Sequence, residues 1–100
     1  MIDQKIATEN IQIIHLIQSM VGAISPNFRR VTVEVSESIS LCFLLERDDS
    51  RDREEINDIV FEFEALQEGA VEVRVDVLVD RRPLSEIDLP GRAVFGRREA

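Results

Sequence analysis

Apolar residues recur at every second position through residues 31–45. Val31, Val33 and Val35 alternate with Thr32, Glu34 and Ser36, then Ile39, Leu41, Phe43 and Leu45 with Ser40, Cys42 and Leu44. A period of two predicts strands with one buried face. Ser36-Glu37-Ser38 is short enough to join them as a hairpin, although it lacks the favoured Asn-Gly turn. The clearest alternation spans residues 70–80, where Val71, Val73, Val75, Val77 and Val79 are spaced by Glu72, Arg74, Asp76, Leu78 and Asp80. Its valines predict a third strand. With Val75 in the core, Val75→Asp should unfold the chain by burying an unpaired carboxylate.

Two other stretches follow the helical period. Over residues 3–21, Ile6, Ile13, Ile14, Ile17, Met20, Val21 and Ile24 fall on one stripe, with Asp3 as N-cap and Gly22 just past the last turn. Ser25-Pro26-Asn27 then forces a turn. Over residues 50–68 the inward stripe is Ile56, Ile59, Val60, Phe63 and Leu66, capped by Ser50 or Asp49 and ended by Gly69. After Asp80 the pattern dissolves into Arg81, Arg82, Pro83, Pro90 and Gly91, with a short Ala93-Val94-Phe95 run that could add an edge strand.

The order is thus α-β-β-α-β in one domain, residues 1–100, with 1–80 as core and 81–100 as a C-terminal loop. One-sided strands and helices predict an α+β fold. It is a two-layer α/β sandwich of three antiparallel or mixed strands with both helices on one face. The last strand could pair with the first or the second.

Charge narrows the function. The chain of 100 residues is 44% hydrophobic and 32% charged, which fits a folded domain, and its net charge of −8 disfavours nucleic acid as a partner. Residues 46–68 hold ten acids against three arginines, whereas residues 81–100 hold five arginines against three acids. An acidic field speeds encounter with basic partners. A single cysteine suits a reducing compartment, no apolar run approaches a membrane span, and the N-terminus lacks a signal-peptide layout. A cytoplasmic location without membrane contact is expected.

Candidate chemistry is sparse. His15, the one histidine, falls opposite the predicted stripe and should be exposed, without the second group that catalysis or metal binding needs. Cys42 points away from the core face with no base beside it. Asp48, Asp49 and Asp52 lack the central glycine and terminal glutamate of a calcium loop, so capping explains them better. The four glycines form no phosphate cradle. No catalytic, cofactor-binding or metal-binding residues are assigned, and a non-enzymatic binding protein is expected.

What remains is a surface. Phe61 lies about 140° from the second helix's core stripe (at ~100° per residue), with Ala65 beside it and Glu54, Asp58 and Glu62 around it. A phenylalanine framed by carboxylates suits an anchor inside an electrostatic rim. These five residues are the candidate partner-binding set. The competing reading packs Phe61 under the C-terminal tail, beneath Phe95.

The segment Gly22-Ala23-Ile24-Ser25-Pro26-Asn27-Phe28-Arg29-Arg30-Val31 follows a long amphipathic helix and precedes a hairpin. In this the chain resembles small bacterial immunity proteins of contact-dependent growth inhibition and related polymorphic toxins. The resemblance implies a cytoplasmic protein that binds a cognate toxin domain and blocks it. Many such toxins are basic nucleases, for which an acidic partner substitutes for phosphate. The first alternative is a secretion-chaperone-like or homodimeric adaptor using an exposed sheet face of Thr32, Ser40, Cys42, Leu44 and Leu78. A small carboxylate-based hydrolase ranks below it. Both monomer and homodimer fit the sequence.

Overall fold

The computed structural model describes residues 4–99, and side chains from Thr8 onward. Helix α1 (Gln4–Met20) leads into strands β1 (Phe28–Val35) and β2 (Ile39–Leu45). Helix α2 (Ser50–Ala65) and strand β3 (Val73–Val79) follow, then a 3-10 turn at Leu84–Glu86 and strand β4 (Arg92–Gly96). The expected N-cap, Asp3, lies outside the described residues, as does the side chain of Ile6.

The sheet has four strands in the order β3-β2-β1-β4, not three. The run around Ala93-Val94-Phe95 forms β4, which pairs antiparallel with β1. The hairpin holds β1 and β2 antiparallel from Val35↔Ile39 to Arg30↔Leu44. Strand β3 pairs parallel with β2 in unbroken register, Ile39↔Val73 to Leu45↔Val79. Helix α2 is therefore the crossover of a β-α-β unit.

One core cluster joins both helices to the odd-numbered strand residues. Leu16 and Met20 of α1 and Ile56, Ile59 and Phe63 of α2 meet Val31, Val33, Ile39, Leu41, Phe43 and Leu45. Phe28 joins them, edge-on to Phe43 with ring centroids 6.4 Å apart. Residues 28 and 31 share a face only because a β-bulge interrupts β1 between Phe28 and Arg30. The alternation in the sequence begins after that bulge.

The remaining connection, residues 80–91, runs from β3 at one edge to β4 at the other. The pairings make β4 parallel to β3. The two crossovers travel in opposite directions across the sheet, so right-handedness in both puts them on opposite faces. Burial agrees. Thr32, Cys42 and Leu44 of the even-numbered face are buried although they lie outside the helix-side cluster, and Leu84, Ile87 and Leu89 of the connection are half-buried. Of the polar-apolar sheet face expected for an adaptor, Thr32, Cys42 and Leu44 are thus covered, Ser40 is half-buried and Leu78 is exposed. Burial also pushes the Cys42 thiol up, Asp76 adding to the effect against a hydrogen bond from Thr32.

The connection closes through Gly91, at φ +79, where an added Cβ would stand 2.3 Å from the Val33 carbonyl oxygen. Gly91→Ala meets both the left-handed strain and that backbone clash. A loss of ~1–3 kcal/mol is expected, read as a lowered Tm in thermal unfolding.

The buried stripe of α1 is rotated from the predicted one. Gln12, Leu16, Ser19 and Met20 face inward, Ile13 and Ile24 are half-buried, and Ile14, Ile17 and Val21 are exposed. Polar Gln12 and Ser19 can be buried because each is bonded. Gln12 exchanges amide hydrogen bonds of 2.8 Å with Gln67, and the Ser19 hydroxyl donates to the His15 carbonyl at 2.9 Å. In α2, Leu66 is the C-cap and 40% exposed rather than part of the stripe. Strand β3 differs most: Val71, Val75 and Val79 are 37–42% exposed, because β3 is an edge. Val75→Asp therefore places its carboxylate where water can reach it, and the expected unfolding does not follow.

No helix among the described residues is long and apolar enough to cross a membrane.

Candidate binding surface

Helix α2 begins at a bonded cap. Asp49, in extended conformation, accepts hydrogen bonds from the backbone N–H groups of Arg51 (2.9 Å) and Asp52 (3.1 Å). Asp52 turns inward and is buried, where it accepts from the Asn27 side-chain amide at 2.8 Å. Asn27 also donates to the Arg47 carbonyl and accepts from the Arg47 N–H. The loop before α2 is thereby stapled to the start of β1. Of the three aspartates expected to cap the helix only Asp49 does so, while Asp52 bonds Asn27 and Asp48 pairs with Arg53.

Ile56, Ile59 and Phe63 pin the inner face of α2 to the sheet, which turns Phe61 outward. Phe61 is 75% exposed. It does not lie under the tail: Phe95 packs on the core from β4 instead. One turn to either side of Phe61 are Asn57, Asp58, Glu64 and Ala65, with Glu54 a turn further and Glu62 adjacent, all exposed. Beyond Arg53 the helix carries five acids and no base through Ala65. Glu62 and Glu64 sit near the C-terminal end, where the helix dipole disfavours negative charge, and the last turn holds no basic residue to offset it. Helix stability does not explain that placement.

His15 is half-buried rather than exposed, a direct result of the rotated stripe, and its Nδ1 is buried without a hydrogen bond. It lines a cleft of about 260 Å³ with Ile11, Gln12, Leu66, Gln67 and Val71, in which Glu68 is the one carboxylate. A second, shallower hollow at Val35, Ser36 and Glu37 has Glu37 alone. Neither brings two carboxylates together for hydrolysis.

A polar cluster closes the end of the sheet where β1 starts and β2, β3 and β4 finish. Arg29, at the β1 bulge and only 3% exposed, donates to both carboxylate oxygens of Glu99 (2.9 and 2.6 Å) and to the Asp80 carbonyl (2.7 Å). Arg97 bridges Glu46 and Glu99. The hydrogen bond from Arg29 holds the Glu99 carboxyl below the usual range, and Arg82 holds that of Asp80 down to about 2. Arg92 meets Glu9 of α1 at 3.0 Å. Arginines that read in the sequence as a basic tail are thus partly engaged within the fold. Alternation gave no sign of this cluster, since Arg29 is the residue the bulge sets aside.

Residues 9–99 match the family model described as MafI2 immunity protein. The chain belongs to this family. No curated protein matches it. The match takes in most of α1, the whole sheet and α2, so the Phe61 surface lies inside the family domain. Membership implies an immunity protein of a polymorphic-toxin system, with a cognate toxin as partner and inhibition rather than catalysis as its action.

Proposed function

We propose that this immunity protein neutralises its cognate toxin in the cytoplasm by binding a basic surface of it, such as that of a nuclease domain, through the outer face of α2. The observation that carries this reading is Phe61, three-quarters exposed on a helix face whose charged residues are all carboxylates. The ring supplies the apolar anchor. Glu54, Asp58 and Glu62 form the rim that steers a basic partner, and Ala65 leaves room beside the ring. Acids held against the helix dipole near the C-terminal end of α2 gain most from a cationic neighbour.

The charge component is tested by Glu54→Lys, Asp58→Lys and Glu62→Lys together. Association with the toxin domain is expected to slow and its salt dependence to flatten, measured by stopped flow over a range of ionic strength. Unfolding should change by less than ~1 kcal/mol, since all three side chains are exposed and lysine near the C-terminal end suits the dipole. Unchanged association rates would mean that the acids serve solubility alone.

A further inference from the structure

Strand β3 ends the sheet with an unpaired edge, and the direction of its free groups can be read from its bonds to β2. The Ile39 N–H donates to the Glu72 carbonyl, and the Asp80 N–H to the Leu45 carbonyl. The even-numbered residues of β3 thus turn their backbone groups towards β2. Successive residues of a strand alternate, so the N–H and C=O of Val73, Val75, Val77 and Val79 point out of the open edge. No described group bonds to them. Of the usual protections of an edge the strand has only two charged side chains, Arg74 and Asp76: it contains no proline or lysine, and its register with β2 has no bulge.

From this edge we propose that the immunity protein forms a two-fold dimer, β3 pairing antiparallel with β3 of a second copy in the register centred on Val75. The outward valines must face one another as hydrogen-bonded pairs, which leaves few registers near the middle of the strand. Centring on Arg74 sets Arg74 against its own copy and Glu72 against Asp76. Centring on Asp76 sets two aspartates together, and centring on Val77 leaves Asp76 opposite Leu78 and offers Arg74 only Asp80, whose carboxylate Arg82 already holds. Centring on Val75 places Arg74 directly opposite Asp76 of the second copy, and Asp76 opposite Arg74 of the second copy. Both are non-hydrogen-bonded pairs, where facing side chains come closest. On the helix side the same register sets Val73 against Val77 and Val75 against Val75 of the second copy, covering Val75, which the single chain leaves exposed, between the half-buried Val73 and Val77. Val71 then faces Val79. The stretch Val73–Val77 is therefore self-complementary in backbone, apolar face and charge, with Glu72 opposite Leu78 just outside it.

The axis runs perpendicular to the sheet, so the eight strands form one continuous layer with all helices on one side. The outer face of α2, with Phe61, points away from that layer and stays open to a toxin. The dimer is independent of the toxin-binding reading, and either can fail alone.

The test is the solution mass of the full chain by analytical ultracentrifugation over a concentration series. Wild type is expected to rise from 11.4 kDa to twice that value. Arg74→Asp and Asp76→Arg each create like-charge pairs and should weaken dimerisation by ~10-fold or more. Both positions are exposed, so the monomer stays folded. An equimolar mixture of the two variants restores both opposite-charge pairs and should recover the dimer. Amide exchange provides a second readout: Val73, Val75 and Val77 should gain protection with concentration. A wild type that stays at 11.4 kDa with those amides unprotected overturns the proposal. So does dimerisation undiminished in either variant, which would point to the exposed Ile14, Ile17 and Val21 of α1, or a mixture that stays monomeric.

Discussion

Glu99→Gln is expected to destabilise the immunity protein by about 1.5–3 kcal/mol, the scale of a hydrogen bond to a buried charged group. Arg29 is 3% exposed and its guanidinium loses its one ionic hydrogen-bond acceptor, keeping the Asp80 carbonyl and the nearby charge of Glu46. Those remaining contacts, and the 21% exposure of Glu99, hold the cost below the ~3–5 kcal/mol of a fully buried broken pair. The pH dependence has a definite sign. The folded state lowers the Glu99 pKa, so its stabilisation is complete above the ordinary glutamate value of about 4.3 and is lost as pH falls through the lowered value. Thermal unfolding from neutral to acid pH should show wild type losing its advantage over Glu99→Gln below about pH 4. Equal Tm values at neutral pH would show that the buried arginine is satisfied without Glu99.

Phe61→Ala is expected to weaken toxin binding by ~2 kcal/mol or more, the range of interface anchors. Folding stability should move by no more than ~0.5 kcal/mol, because the ring is 75% exposed and alanine is the better helix former. Phe63→Ala, two residues on, provides the contrast. Its ring is fully buried between α2 and the sheet, so truncation should cost ~3–5 kcal/mol of stability. Calorimetric binding and thermal unfolding of both variants separate the two effects. A Phe61→Ala protein that binds normally removes the anchor from the account.

Periodicity revealed what one element carries by itself. The alternation of residues 31–45 and 70–80 marked three strands, the last of them only over Val73–Val79, and the spacing of Ile56, Ile59 and Phe63 fixed the face of α2, which turned Phe61 outward. Where one element could bury either of two faces, periodicity was insufficient. Helix α1 has apolar residues around most of its circumference, and the stripe with more isoleucines lost to one holding Leu16, Met20 and two bonded polar residues. Strand order was equally hidden, because the valines of β3 alternate as cleanly at an edge as in the interior. Val75 therefore read as core and is half open. The bulge leaves Arg29 bonded to Asp80 and Glu99, 51 and 70 residues on, and β4 pairs with β1 across a similar separation, so no local period records either. The glutamates of α2 were legible as a charged face, but their conflict with the helix dipole needed the observed end of the helix at Ala65.

Chemical-shift mapping of the isotopically labelled immunity protein, titrated with its cognate toxin domain, tests toxin binding through α2 most directly. The largest perturbations should fall on the outer face of α2, at Glu54, Asp58, Phe61, Glu62 and Ala65. Perturbations concentrated on Ile14, Ile17 and Val21 of α1 or on the open edge of β3, with the α2 face unmoved, would contradict it.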